Sequence, residues 1–192
     1  IIGDDFHFGK NRQGNYNYLV NVAGEKGFKV ETTNTLNCER ERVSSTLIRE
    51  ALANGEMDKA SELLGRPYRI SGRVVHGNKR GRTLGFATAN IELHRYFSPV
   101  VGIFSGHVHG IEDRSLDAII YVGSRPVFKG KRDILEVHIL DYNSDLYGRH
   151  LQVELLEKIR GDSDFISEEE LIKQIKKDIE DTRISLKKYM KR

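Results

Sequence analysis

The most constraining feature of this sequence is a change of pattern at Tyr68, where apolar and polar residues begin to alternate with a period of two. Such alternation is typical of β-strands that bury one face. The strand candidates are YRISGRVV, FATANIEL, GIFSGHVHG, LDAIIYVG, DILEVHILD and LQVELLEKI. Short strands at this spacing, separated by turn-forming residues, predict either an antiparallel sandwich or a closed barrel.

Helical patterns flank the strand region on both sides. STLIREALANG and MDKASELLG precede it, and each ends at a glycine that predicts the end of a helix. After the last strand, Ser167 and Glu170 form a capping box that predicts the start of another helix. Its apolar stripe comprises Leu171, Ile172, Ile175, Ile179 and Leu186. We expect this stripe to pack against the outside of the barrel.

Composition and charge exclude several classes of protein. The longest apolar runs are too short to span a bilayer, and the single Cys38 rules out an internal disulfide framework. Residues 1–65 carry 8 basic and 10 acidic side chains, whereas residues 66–192 carry 23 and 18. This mild basic excess suits a small anionic ligand, because a nucleic-acid surface requires basic clusters with interleaved aromatics. We expect a cytoplasmic protein with no nucleic-acid or membrane partner.

The segment VVHGNKRGRTLGFATAN combines glycines with positive charge ahead of a strand. Gly77, Gly81 and Gly85 let the backbone approach a ligand closely and expose its N–H groups. Lys79 and Arg82 add positive charge. The segment therefore predicts phosphate binding, although it matches neither the P-loop nor the three-glycine dinucleotide fingerprint.

Thr88 and Asn90 follow this segment at the spacing of one strand face. A hydroxyl and an amide oxygen are hard, neutral ligands that suit Mg²⁺ shared with phosphate oxygens. Such pairs also occur on strands whose polar face is simply solvated. The spacing alone leaves both interpretations open.

Glu136 interrupts the strongly apolar segment ILEVHILD. A carboxylate in such a strand is costly unless it is paired, exposed or used, so Glu136 is a candidate general base for a hydroxyl nucleophile. Because His138 lies on the same strand face, a solvated face explains the pattern equally well. His107 and His109 also share a face, and with Glu136 they allow a zinc site of a hydrolase. A second solvated face is the simpler alternative.

Together, these segments resemble the riboflavin kinase module of the bacterial bifunctional riboflavin kinase/FAD synthetases. The resemblance runs in order through HGNKRGRTLGFATAN, VGIFSGHV, VGSRPVF, LEVHILD and DLYGRHLQVELLEKIR to the last helix, and it covers residues 66–185. It implies a mainly β fold, a six-stranded closed antiparallel barrel with a C-terminal amphipathic helix. The riboflavin kinase domain would extend over residues 66–192.

The resemblance also implies a reaction, the transfer of the γ-phosphate of ATP to the ribityl 5′-hydroxyl of riboflavin to give FMN. Glu136 would accept the proton of that hydroxyl, and Thr88 and Asn90 would bind Mg²⁺ and the phosphates. Arg160 and Phe165 would lie on the flavin side. The flap over the ATP phosphates would contain Gly77, Lys79, Gly81, Arg82 and Gly85.

One position departs from the family pattern. Ala87 stands where the family motif has proline, so the chain loses a restraint on φ just before the strand. Both proposed ligands are present, so activity is still expected. A flavin- or nucleotide-binding module that has lost catalysis is the alternative from a different class. The presence of Thr88, Asn90 and Glu136 argues for the enzyme.

The first part of the chain resembles another domain of the same family. IGDDFHFGKNRQGN and VSSTLIRE are similar to segments of its adenylyltransferase domain. We interpret residues 1–65 as the C-terminal remnant of a Rossmann-like FMN adenylyltransferase domain, a partial α/β nucleotidyltransferase segment. Because the chain opens at Ile1 within a strand-like segment, we expect a fragment of a parent that also makes FAD. Residues 1–65 alone are not expected to make it.

Overall fold

The structure is a computed structural model that describes residues 1–3, 5–38, 41–77, 81, 84–93, 98–127 and 130–189. The chain divides into two compact units, Ile1–Ser44 and Ser45–Arg192. The boundary between the two units therefore lies before the helices of residues 45–64, whereas the family resemblance predicted a domain boundary after them, between residues 65 and 66. These helices fall in the second unit because the later one packs against two strands of that unit.

The first unit has a short α/β arrangement. Its elements are β1 (Ile2–Gly3), a 3-10 turn (Lys10–Arg12), α1 (Tyr16–Lys26), β2 (Thr32–Thr33), β3 (Asn37–Cys38) and β4 (Glu41–Arg42). β1 and β2 pair in parallel, with α1 between them in the sequence, while β3 and β4 are antiparallel. Asn15 caps α1 by accepting the N–H of Tyr18, and Gly27 ends it with a left-handed φ of 73°.

The second unit contains the barrel. Its elements are α2 (Ser45–Asn54), α3 (Met57–Leu64), β5 (Tyr68–Val75), β6 (Ala89–Ile91), β7 (Gly102–His109), β8 (Leu116–Val127), β9 (Gly130–Ile139), β10 (His150–Arg160) and α4 (Glu168–Leu186). Within the described residues, six strands close in the order β10-β5-β6-β9-β8-β7, and all neighbours are antiparallel. The predicted barrel is confirmed, and the sandwich alternative is wrong.

Alternate residues of the strands fill the barrel. On β7, Phe104 and Val108 are fully buried, while His107 between them is partly exposed. The strand residues with the largest fully buried side chains are Ile70, Phe104, Val108, Ile120, Val122, Leu135, Val137, Leu151, Val153 and Leu155. The residues that alternate with them, such as His107 and Glu136, point to the outer face, where helices and ligands can reach them.

Helix α4 covers part of that outer face. It begins as predicted, because Ser167 Oγ accepts the N–H of Glu170 at 3.2 Å and the Glu170 carboxylate accepts the N–H of Ile166 at 3.1 Å. Ile179 of its apolar stripe packs against a cluster on the outer face of the sheet. The cluster comprises Ile103, Ile119 and Leu140, with Tyr121 and Ile159 also packed against it.

A polar contact joins the end of α4 to β10. Glu157 accepts hydrogen bonds from the Ser185 hydroxyl at 2.6 Å and from the Lys188 ammonium at 2.9 Å. Burial raises the pKa of Glu157, but the hydrogen bonds from Ser185 and Lys188 outweigh burial and hold that pKa below its ordinary value of 4.5. The ionised carboxylate therefore stabilises the folded chain.

The lowered pKa of Glu157 predicts a pH dependence of stability. Its contribution is fully present above the unfolded pKa of 4.5 and is lost as the pH falls through the lower folded value. Between neutral pH and about pH 3, we expect the wild type to lose more free energy of unfolding than the Glu157→Gln variant. Urea denaturation of both proteins measures this difference, and parallel pH profiles would contradict it.

Candidate active site

A cavity of about 380 Å³ lies where the chain leaves β5 and enters β6, beside the end of β9. Its lining includes Gly77, Thr88 and Asn90, which are all predicted from the sequence to bind phosphate or metal. Residues of the loop between β9 and β10, including Tyr142 and Tyr147, complete the lining. This volume is in the range of small-molecule sites in proteins.

Gly77 brings the backbone close to Asn90. A Cβ atom added at Gly77 would overlap the side-chain amide of Asn90. Glycine therefore lets the chain that leaves β5 pass directly over this amide in its present position, whereas a larger residue would displace the Asn90 side chain. The contact packs the Asn90 side chain against the backbone at the cavity.

The glycine-rich segment folds back on itself before β6. The carbonyl oxygen of Gly81 accepts the N–H of Phe86 at 2.8 Å, and Gly85 has a left-handed φ of 87°. These two glycines permit a tight turn immediately ahead of the strand. Lys79 and Arg82, the predicted cations of the flap, lie outside the described residues.

Glu136 lies directly opposite Asn90 across the ladder between β6 and β9. Its sequence neighbours Leu135 and Val137 are each only 1% exposed, so Glu136 points to the other face of the strand. Tyr121 of β8 pairs with Glu136 from the other side. Because cross-strand neighbours have Cβ atoms about 5 Å apart, the Glu136 carboxylate lies next to the cavity-lining Asn90.

The loop between β9 and β10 is anchored at both ends. At its start, Arg183 of α4 donates to Asp141 at 2.8 Å, and this hydrogen bond holds the pKa of the Asp141 carboxyl below its usual value. At its end, the N–H of Gly148 donates to the carbonyl of Val74 at 2.9 Å, and Arg73 donates to the carbonyl of Gly148 at 2.7 Å. These contacts hold this wall of the cavity in place.

Arg160 and Phe165, the predicted flavin-side residues, contact each other. The guanidinium of Arg160 lies 5.7 Å from the centroid of the Phe165 ring. It also donates to both carboxylate oxygens of Asp178, at 2.8 to 3.1 Å. Further hydrogen bonds run to the carbonyl of Gly161 and the hydroxyl of Ser163. Arg160 therefore organises the segment between β10 and α4 through contacts within the protein.

Tyr121 connects this segment to the side of the barrel that carries Glu136. Its hydroxyl donates to Asp162 at 2.9 Å, and the residue pairs directly with Glu136. Glu136, the candidate base, and the predicted flavin-side segment are separated in the sequence. Tyr121 thus links them in the structure.

His107 and His109 lie elsewhere on the barrel. On β8, His107 is paired with Asp117, whereas Glu136 is paired with Tyr121. These two β8 residues are four positions apart, which is about 13 Å along a strand. The two histidines instead lie 3.7 Å and 3.6 Å from the carboxylate of Glu154. Among the described residues, no group of three or more His, Cys, Asp or Glu side chains is arranged to hold a metal ion. The geometric basis of the zinc hydrolase alternative is therefore absent from this part of the chain.

Two features of the site were missed in the sequence. None of the candidate site residues predicted from the sequence lies in YNSDLYG, the turn between β9 and β10, yet this turn supplies cavity residues, and its Tyr147 ring lies 4.0 Å from that of His76. His138 was interpreted as part of a solvated face, yet its Nδ1 lies 2.8 Å from the carbonyl oxygen of Ala87. The two tyrosines of the turn were the available signal, because aromatic residues are common in binding sites.

Comparison with known proteins assigns the family. The riboflavin kinase family model, Flavokinase, matches residues 64–186, which is more than half of the chain. The chain belongs to the riboflavin kinase family. The cavity, Glu136 and the segment that carries Phe165 all fall within this riboflavin kinase match. A second model, described as FAD synthetase, matches residues 1–47.

The riboflavin kinase relatives are longer proteins. Over 179 residues, the chain is 45% identical to the bifunctional riboflavin kinase/FMN adenylyltransferase of Haemophilus influenzae, which covers 93% of this chain and 58% of that one. The Escherichia coli K12 protein of the same name is 46% identical over 177 residues, with coverages of 92% and 56%. The chain therefore spans less than two thirds of the length of these relatives.

A crystal structure described as a macrolide-efflux protein from Streptococcus pneumoniae has a similar fold. It aligns with a TM-score of 0.76 at 35% identity, over 95% of this chain and 60% of that one. In the described part of the present chain, no helix combines the length and the apolar character that a bilayer crossing requires.

Proposed function

We propose that this chain transfers the γ-phosphate of ATP to the ribityl 5′-hydroxyl of riboflavin and releases FMN. The observation that carries the proposal is the pairing of Glu136 with Asn90 beside the cavity that Gly77 and Thr88 line. The family match and the names of the relatives support the same reaction. Phosphoryl transfer depends mainly on positioning and charge neutralisation, so one carboxylate and a few polar ligands are sufficient.

In this mechanism, Glu136 is the general base. The 5′-hydroxyl of riboflavin donates a hydrogen bond to its carboxylate, and the carboxylate takes the proton as the hydroxyl oxygen attacks the γ-phosphorus. The bond between that phosphorus and the β–γ bridging oxygen breaks, and ADP leaves. Asn90, opposite Glu136, keeps the phosphate end of ATP within reach of the activated hydroxyl.

Thr88 and Asn90 suit Mg²⁺ bound together with phosphate. They offer a hydroxyl and an amide oxygen, which are hard, neutral ligands that leave other coordination positions to phosphate oxygens and water. The backbone at Gly77 packs against the Asn90 amide and restricts its orientation. When bound, the ion would neutralise developing charge on the phosphates. The two side chains hold and orient the nucleotide for Glu136.

The segment after β10 supplies the flavin side. Phe165 offers an aromatic surface to the planar isoalloxazine ring, and Ile166, which is 98% exposed, adds apolar area beside it. Arg160 contributes by shaping this segment, because its guanidinium donates to Asp178, Gly161 and Ser163.

The second activity in the names of the relatives concerns the first unit. Residues 1–47 match the FAD synthetase model, and their described part holds α1 and two short sheets. We propose that these residues serve FMN adenylyltransferase activity only within a longer chain. An enzyme that consumes ATP and supplies FMN is expected in the cytoplasm.

The direct test is to incubate the purified chain with riboflavin, ATP and MgCl₂ and to separate riboflavin, FMN and FAD by chromatography with fluorescence detection. We expect FMN without FAD, and we expect excess EDTA to abolish FMN formation. Flavin binding without FMN would favour the non-catalytic module. FAD would refute the assignment of residues 1–47, and undiminished FMN in EDTA would refute the metal site at Thr88 and Asn90.

A further inference from the structure

Beside the candidate site, His138 makes a hydrogen bond that has no part in the proposed mechanism. Its Nδ1 lies 2.8 Å from the carbonyl oxygen of Ala87, 51 residues away in the sequence. A carbonyl oxygen only accepts, so Nδ1 carries the hydrogen and donates. The same ring meets Phe86 edge-on, with ring centroids 6.0 Å apart and an interplanar angle of 85°. His138 therefore contacts both residues that lead into Thr88.

The position of this bond relative to the strand ladder gives it a role. The ladder between β6 and β9 begins with the pair of Ala89 and Val137. One step further in the same antiparallel register, Thr88 faces His138. Thr88 and Ala87 thus lie ahead of the first backbone pair, and the imidazole of His138 extends the connection between the two strands to them.

Among the described residues just ahead of Ala87, the backbone hydrogen bond of Phe86 is a local one. The hydrogen bond between the Phe86 N–H and the Gly81 carbonyl closes a turn within the glycine-rich segment and does not attach that turn to β9. Ala87 also lacks the ring that fixes φ in proline. The hydrogen bond from His138 to Ala87 is therefore a connection between this segment and β9 that the backbone ladder does not supply.

We infer that His138 is a positioning residue, which holds the Ala87 carbonyl and thereby keeps Thr88 at a fixed place relative to Glu136. Glu136 and His138 lie two residues apart on the same face of β9, so one strand carries both the candidate base and the anchor of the ATP side. The inference rests on the proposed function, in which Thr88 binds the phosphate end of ATP. It predicts an effect on ATP and none on riboflavin.

The test compares variants that separate the hydrogen bond from the ring. His138→Phe keeps an aromatic ring against Phe86 and removes the donor, and His138→Leu removes the donor with a smaller side chain. His138→Asn loses the ring but retains an N–H close to the position of Nδ1. His150→Leu, at an exposed histidine that begins β10, is the matched control. The readouts are the dissociation constant of ATP in MgCl₂ by calorimetry without riboflavin, and the KM values of both substrates.

We expect each donor-free variant to weaken ATP binding by about fivefold, the size of one ordinary net hydrogen bond. His138→Asn and His150→Leu should stay within about twofold of the wild type, and the KM for riboflavin should not change. Donor-free variants that bind ATP like the wild type would overturn the inference, and so would an Asn variant as weak as they are. Calorimetry needs no turnover, so a wild type that binds ATP but makes no FMN would refute the proposed function alone.

Discussion

Replacing Glu136 with glutamine is expected to lower the kcat of FMN formation by about 10²- to 10⁴-fold, the usual contribution of a general base. Glutamine has nearly the same size as glutamate and can still accept a hydrogen bond from the riboflavin hydroxyl, but it cannot take the proton. The residue lies on the outer face of β9, between Asn90 and Tyr121, so the substitution leaves the barrel core intact. Steady-state kinetics with chromatographic detection of FMN measures the effect.

The matched control is Glu112→Gln, which makes the same change at an exposed glutamate between β7 and β8 that pairs with Arg114. Its kcat should equal that of the wild type. Both variants should bind ATP and riboflavin with unchanged dissociation constants, because Glu136 takes up the proton in the transition state and not in the ground-state complex. A Glu136→Gln protein that retains wild-type kcat would remove Glu136 from the mechanism. A loss confined to substrate binding would make it a binding residue only.

How well the strands could be predicted depended on how regularly they bury one face. YRISGRVV coincides with β5, Tyr68–Val75, because its buried and exposed residues alternate along most of its length. FATANIEL was predicted as a long strand, yet β6 covers only Ala89–Ile91, since Phe86 is bonded back to Gly81. β8 and β9 continue beyond their apolar segments, because backbone pairing in their hairpin does not require apolar side chains.

Closure of the barrel could not be derived from local pattern. It depends on pairing between β10 and β5, strands at opposite ends of the region, which brings Arg69 within hydrogen-bonding distance of Glu154, 85 residues away. Alternation identifies which residues share a face but not which strands become neighbours. The residue pattern therefore allowed both a sandwich and a barrel, and the family resemblance indicated the barrel.

The sequence indicated which residue types form the site better than it indicated which of these residues lie next to each other. The spacing of Thr88 and Asn90 indicated oxygen ligands on one strand face, but their relation to Glu136 depends on the register of β6 with β9. Arg160 was assigned to the flavin side by resemblance. Its bond to Asp178 joins a strand to a helix, and nothing in the sequence around either residue indicated that partner.

Removing the carboxylate of Asp178 is expected to cost about 3 kcal/mol of the free energy of unfolding. Asp178 is only 2% exposed and accepts Arg160 through both oxygens, so Asp178→Ala leaves a largely desolvated guanidinium without its partner. We expect the lower end of the range for broken buried ion pairs because the Arg160 side chain retains 22% exposure. Urea denaturation monitored by circular dichroism measures the loss.

A second ion pair between α4 and the barrel provides the control. Arg183 and Asp141 are joined at 2.8 Å, but their side chains are 46% and 74% exposed. Arg183→Ala should therefore leave the free energy of unfolding close to that of the wild type, because water replaces the lost partner and alanine is a good helix former. Equal losses in Asp178→Ala and Arg183→Ala would show that burial does not set the strength of these pairs.

The double variant Arg160→Met with Asp178→Leu separates stability from substrate positioning. Apolar side chains of similar volume can replace a buried ion pair at little cost, so the double variant should recover most of the stability lost by Asp178→Ala. Its segment between β10 and α4 would still lack the hydrogen bonds from Arg160 to Gly161 and Ser163. We therefore expect a raised KM for riboflavin with an unchanged KM for ATP. A stable double variant with wild-type KM values would mean that Arg160 serves the fold and not the flavin side.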